Sequence, residues 1–140
     1  MSLSYSNAIN AARLDLIESS IGVGAKLKLY GGSVPADVTV AIGAQPLLMD
    51  AVLAAGGDWM ANATVARPSV KAKTGTWTGT VAAAAGAGTP VTFFRLASSA
   101  DVMGVQGTCG QGTGDLQFDN ATLATGQTVT VNTFTITSAN

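Results

Sequence analysis

The residue types that most often carry out catalysis are scarce in this chain. It contains no histidine, which removes the commonest general base and the commonest transition-metal ligand. Its single cysteine, Cys109, has no imidazole to activate it as a nucleophile and cannot form a disulfide within the chain. We therefore expect Cys109 to be a small buried residue on a strand.

Two carboxylates, Asp115 and Asp119, are near enough in sequence to suggest glycoside hydrolysis or, together with Asn120, calcium binding. Both lie in turn-rich sequence without a second cluster of oxygen ligands, so capping of turns is the favoured role. The triplet at residues 73–75 matches one motif of the penicillin-recognising enzymes, but their Ser-x-x-Lys nucleophile motif is absent. The sequence thus predicts a protein that is not an enzyme, with no cofactor and no metal site.

The aromatic residues offer a different kind of chemistry. Trp59, Trp77, Phe93 and Phe94 could form a platform for sugar rings, although aromatic residues on strands are more often part of the core. An exposed Trp59 or Trp77 would favour a carbohydrate-binding module.

Charge limits the possible partners. Charged residues make up 11% of the chain and the net charge is −1, whereas charged residues are about 25% of an ordinary globular protein. The basic residues include two short pairs, Lys26/Lys28 and Lys71/Lys73, which alternate along predicted strands and are expected to be solvated. Nucleic acid is not expected as a partner, because binding phosphates requires a basic patch. A surface with so few charges favours contact with other subunits. A membrane span is not expected either, because no apolar run approaches the roughly 20 residues that it requires.

The elements that must position these residues begin with one helix, over residues 6–21. Ser6 is the expected N-cap and Gly22 the expected stop. The helical spacing predicts an apolar stripe that docks on a sheet or a neighbour, formed by Ile9, Ala12 and Leu16 with Leu14, Ile17 and Ile21 beside them. Arg13 and Glu18 lie on the expected polar side.

The rest of the chain has the pattern of strands separated by turns. Strands are predicted over residues 26–30, 46–54, 76–81, 91–96, 102–109, 116–118 and 127–137. In the last strand the apolar residues change parity, which indicates a bulge near Asn132-Thr133 or a strand that crosses between two sheets. The fold class predicted is mainly β: a jelly-roll-like antiparallel β-sandwich with one N-terminal amphipathic helix. The chain fits a single domain (1–140), with an N-terminal arm (1–5), the helix (6–21) and the sandwich (25–140).

The order of these elements resembles that of the capsid cement (decoration) proteins of tailed bacteriophages. The matching stretches are residues 12–18, 27–32, 58–60, 73–77, 103–108, 112–116 and 126–131. The resemblance implies a structural virion protein with a jelly-roll fold on the outer surface of an icosahedral capsid, synthesised in the host bacterial cytoplasm. It also implies two partners, an HK97-like phage major capsid protein and further copies of the chain in a homo-oligomer (dimer or trimer). It implies no catalytic residues, no nucleic acid and no membrane.

Contact residues are expected at the N-terminal arm and near the tryptophans. The candidates are Leu3, Tyr5, Trp59, Met60 and Trp77. Edge strands of the sandwich could also pair with neighbouring chains through backbone hydrogen bonds. The alternative is a fibre-associated or carbohydrate-binding virion module that uses exposed Trp59 or Trp77.

Overall fold

The helix begins and ends where the sequence predicts. The computed structural model describes residues 4–54 and 57–138, and its one α-helix there, α1, spans Asn7–Ile21. Ser6 is the N-cap, and its hydroxyl accepts a hydrogen bond from the Ile9 backbone N–H at 3.3 Å. Gly22 ends the helix with a φ of 84°, and its N–H donates to the Glu18 carbonyl.

Ten strands follow in the part of the chain that the structure describes, and they confirm the mainly β prediction. They are β1 (Lys26–Tyr30), β2 (Leu47–Val52), β3 (Val70–Ala72), β4 (Trp77–Thr80), β5 (Thr89–Pro90), β6 (Phe93–Ala97), β7 (Met103–Gly110), β8 (Leu116–Phe118), β9 (Thr122–Leu123) and β10 (Thr128–Thr137). Eight of them form one sheet in the order β2-β1-β6-β7-β8-β10-β3, with β4 also paired to β10, and β5 pairs with β9. The large sheet curls into a half-barrel, consistent with a β-sandwich.

One strand pair departs from the antiparallel pattern. β7 and β8 are parallel, with Cys109 opposite Leu116. The glycine-rich loop at 110–114 turns the chain back beside β7 before β8 resumes the original direction. Gly114 has a φ of +83°, and a Cβ there would lie 2.9 Å from the Cys109 Cα, so only glycine fits this close turn.

The irregularity predicted in the last strand is confirmed as a bulge. In the pairing of β10 with β8 the register shifts between Val131 and Thr133. The shift returns Phe134 to the buried side that Val129 and Val131 already occupy. Beyond the bulge, β10 pairs with β3.

The core lies inside the curl of the sheet. Its centre is a row of four packed aromatic rings. The centroid of the Trp77 ring lies 5.9 Å from that of Trp59 and 5.5 Å from that of Phe134, and the Phe134 centroid lies 5.5 Å from that of Phe94. Helix α1 adds Leu14 and Ile21 to the buried set, with Ile17 packed against it. The helix thus docks on the sheet, as expected, through three members of the predicted stripe, Leu14, Ile17 and Ile21, whereas the other three face solvent.

Candidate interaction surface

The side chains that are chemically most reactive have structural roles. The Cys109 side chain is buried, and burial, with a smaller effect from the charge of Asp115, raises the pKa of its thiol to about 12. The thiolate form needed of a nucleophile is therefore strongly disfavoured at neutral pH. Cys109 is a core residue, as predicted.

The two carboxylates considered for catalysis organise the backbone of neighbouring segments. Asp115 accepts hydrogen bonds from the Thr108 backbone N–H at 2.9 Å and from the Thr108 hydroxyl at 3.0 Å. Asp119 accepts one from the Thr130 backbone N–H at 3.3 Å. Within residues 4–54 and 57–138, no group of three or more Cys, Asp or Glu side chains could hold a metal ion.

Three of the contact candidates predicted from the sequence are not on the surface. Trp59, Met60 and Trp77 are each 1% exposed, which contradicts their assignment as contact residues and agrees with the core role favoured for aromatic residues on strands. Both indole N–H groups are satisfied internally, Trp59 by the Gly22 carbonyl at 3.3 Å and Trp77 by the Trp59 carbonyl at 3.2 Å. Their pairing inside the curled sheet buries more apolar area than a surface position would.

The other two candidates lie at the N-terminal arm. Leu3 is outside the residues that the structure describes. Tyr5 is 40% exposed, and its ring stacks under the guanidinium of Arg13 at 5.0 Å. Of the five predicted contact residues, Tyr5 is the one that the structure places at the surface.

The two lysine pairs are not uniformly solvated, which corrects a second expectation. Lys71 is 1% exposed, and its ammonium lies 2.7 Å from Asp15 and 2.8 Å from Glu18. Lys28 is also buried and pairs with Asp50 at 2.5 Å and Asp101 at 3.0 Å. Each lysine is buried because two carboxylates compensate its charge.

The Lys71 cluster, formed by Lys71, Asp15 and Glu18, joins two carboxylates of α1 to the rest of the fold. Glu18, expected on the solvent side, also accepts the Met60 N–H at 2.7 Å, and Asp15 accepts the Ala63 N–H at 2.9 Å. Burial would lower the pKa of Lys71, but its hydrogen bonds to Asp15 and Glu18 outweigh this effect and raise it. The hydrogen bond from Lys71 likewise lowers the pKa of Asp15.

The opposite face of the helix leaves apolar side chains in water. Ile9, Ala12 and Leu16, three of the six residues expected to dock, are exposed, with Leu16 at 63%. Val102, which directly precedes β7, is 68% exposed and lines the same groove as Leu16. Exposed apolar side chains that line one groove are a feature of interaction sites.

Between these two side chains runs an open groove of about 650 Å³, which we call the α1–β7 groove. Six of its ten lining residues have apolar side chains: Leu16, Ile17, Ile21, Val102, Met103 and Val105. The remaining four are Gly104, Ser20, Ser98 and Arg13, so Arg13 is its one charged residue. Gly104 allows the close packing at the groove floor, since a Cβ there would come within 2.8 Å of the Ile21 side chain.

Strand edges are a less favourable contact surface than the sequence suggested. The outer edge of β3 is covered by the preceding segment, whose Ala61 and Thr64 N–H groups donate to the Ala72 and Val70 carbonyls. β2 is covered in part, because the Ala82 N–H donates to the Leu48 carbonyl and Met49 bridges to Val81. These segments occupy backbone groups that strand addition would need.

Comparisons with protein-family models, with curated proteins and with solved structures found no match to this chain. In the part of the chain that the structure describes, no helix is long and apolar enough to cross a membrane. The function is therefore inferred from the motifs quoted above and from the α1–β7 groove.

Proposed function

We propose that this chain is a structural virion protein that cements a phage icosahedral capsid by binding the outer surface of an HK97-like major capsid protein. The observation that carries the proposal is the exposed, largely apolar α1–β7 groove. It occurs on a domain whose most reactive side chains are engaged in structural contacts. The resemblance to cement proteins supports the identity of the partner.

The physical requirements of a cement protein agree with this groove. Burying apolar surface contributes about 25 cal/mol per Å², so the exposed side chains of the groove are a source of binding energy. Copies fixed on a lattice also act together, and avidity lets a modest single interface hold each copy in place. A homo-oligomer, dimer or trimer, would strengthen attachment in the same way.

The proposal is tested on gradient-purified, DNA-filled heads of the phage that encodes the chain. We expect stoichiometric amounts of the chain by quantitative mass spectrometry. Heads prepared without it should open at lower temperature, and added purified chain should restore their stability. Absence of the chain from purified heads would overturn the proposal.

A matched pair of variants links that result to the groove. Leu16→Gln changes a groove residue that is 63% exposed. Val65→Gln changes a residue of similar exposure, 68%, that does not line the groove. We expect only Leu16→Gln to weaken rebinding to the heads. A carbohydrate-binding module is the less supported alternative, because both tryptophans are buried.

A further inference from the structure

We infer that the α1–β7 groove binds a segment of the major capsid protein that combines apolar side chains with one carboxylate, and that this carboxylate pairs with Arg13. The inference rests on the proposed function for the identity of the partner. The chemistry of the segment follows from the groove alone.

The apolar part of the segment follows from the lining. Leu16 and Val102 form the two rims and are each more than half exposed, while Ile17, Ile21 and Val105 form the interior. A polar segment would lose hydration against these side chains without finding hydrogen-bond partners. An apolar segment would remove both rims from water.

The carboxylate follows from the charge of the groove. Among the described residues, Arg13 forms no salt bridge, and it is the one charged residue of the lining. Stacking on Tyr5 holds the guanidinium without neutralising it. A guanidinium can accept a carboxylate through two parallel hydrogen bonds, and it repels a lysine.

A second copy of this chain is a poorer occupant. The outward stripe of α1 carries Ile9, Arg13, Leu16 and Ser20, with no carboxylate. The two acids of the helix, Asp15 and Glu18, are paired with Lys71 on the other side. Two copies joined through this face would bring two Arg13 guanidiniums near each other without compensation.

The first experiment tests the chemistry without any capsid. The probes are three synthetic peptides in which a leucine-rich segment carries one glutamate, one glutamine or one lysine, titrated into the full-length, ¹⁵N-labelled chain. The glutamate peptide should shift the amide signals of Leu16 and of residues 102–105. It should bind up to about fivefold more tightly than the glutamine peptide, as one exposed charge pair allows, and the lysine peptide should bind most weakly.

Variants of Arg13 sharpen this experiment. Arg13→Glu should reverse the order of the glutamate and lysine peptides, and Arg13→Lys should preserve it. Equal affinity for all three peptides, or shifts confined to other surfaces, would overturn the inference. Dispersed amide spectra of both variants establish that the exposed substitution leaves the fold intact.

The second experiment identifies the partner in assembled heads. A photo-cross-linking amino acid replaces Leu16 or Val102, with Val34 and Val65 as exposed control positions outside the groove. Cross-links from both groove positions to an acidic, apolar segment of the major capsid protein support the inference. Cross-links to another copy of the chain, or none from the groove, overturn it but leave the proposed function intact. Heads that lack the chain overturn the proposed function and this partner together, and the peptides then decide the groove chemistry alone.

Discussion

The two faces of helix α1 differ less in polarity than those of an ordinary surface helix, because both carry apolar side chains and the inner one also carries two carboxylates. The face toward the sheet carries Asp15 and Glu18, which bind Lys71 and two backbone N–H groups. The face toward solvent carries Ile9 and Leu16, both at least half exposed. Leu14 and Ile21 add apolar contacts on the inner side, so the inner face is mixed and the outer face is unusually apolar.

The inner face of the helix attaches it to the sheet, whereas the outer face is the one that a partner could contact. The inner face is held by charge-assisted hydrogen bonds with defined geometry, which fix the helix over β3 and β7. The outer face makes few contacts and remains free for another protein. Substitutions on the inner face should therefore change stability, and those on the outer face should change binding.

The largest effect is expected for Lys71→Met. The variant removes the buried cation and leaves Glu18, whose side chain is 14% exposed, without its partner, which should lower the free energy of unfolding by about 3–5 kcal/mol. Denaturant-induced unfolding followed by tryptophan fluorescence measures the change. Lys73→Met is the control, because Lys73 is partly exposed and its ammonium donates to the Gly75 carbonyl and pairs with no carboxylate among the described residues. A similar loss in both variants would show that the cluster has no special role.

A smaller effect is expected from pH, and Asp15 determines its direction on the acid side. The pKa of Asp15 is lowered from its usual value of 3.8 by the hydrogen bond from Lys71. Its contribution to stability is therefore present above about pH 4 and is lost as the pH falls through the folded-state pKa. On the alkaline side, the raised pKa of Lys71 maintains its contribution below about 10.5, and the contribution is lost as the pH rises through the folded-state value.

The measurement is the unfolding free energy of the wild type and of Asp15→Asn between pH 2 and 7. Asp37 and Asp101 also have lowered pKa values, from hydrogen bonds with Thr39 and Lys26 respectively, and they affect both proteins equally. The difference between the two curves therefore isolates Asp15. We expect this difference to shrink on acidification, and a constant difference would contradict the proposed pairing.

Local patterns in the sequence were sufficient for the elements but not for the orientation of α1. The cap at Ser6, the stop at Gly22 and the bulge after Val131 all depend on near neighbours in the chain. The contact of Asp15 with the sheet depends on Lys71, which is 56 residues away. Helical periodicity uses only the polarity of residues in the helix, so it cannot predict that a distant lysine will hold a carboxylate against the sheet.

The same limit explains the outcome for the tryptophans. Both were candidates for contact as aromatic residues that could bind a partner or a sugar, yet β4 and the segment before β3 bring them together in the core. The α1–β7 groove was missed because it combines two elements far apart in sequence. No local signal marked it, because Ile9 and Leu16 fit the spacing of a docking stripe as well as Leu14 and Ile21 do.

The smallest effect on stability is expected for Leu16→Ala, and its comparison with Leu14→Ala is the clearest test of the two faces. Leu14 is buried and Leu16 is 63% exposed, and alanine keeps the helix propensity of both sites. Leu14→Ala should lower the free energy of unfolding by about 2–4 kcal/mol, whereas Leu16→Ala should change it by less than about 0.5 kcal/mol. In binding to purified heads the order should reverse when both variants are compared under conditions where each is folded. Equal losses of stability would mean that the outer face packs in solution, and the groove would then not be free for a partner.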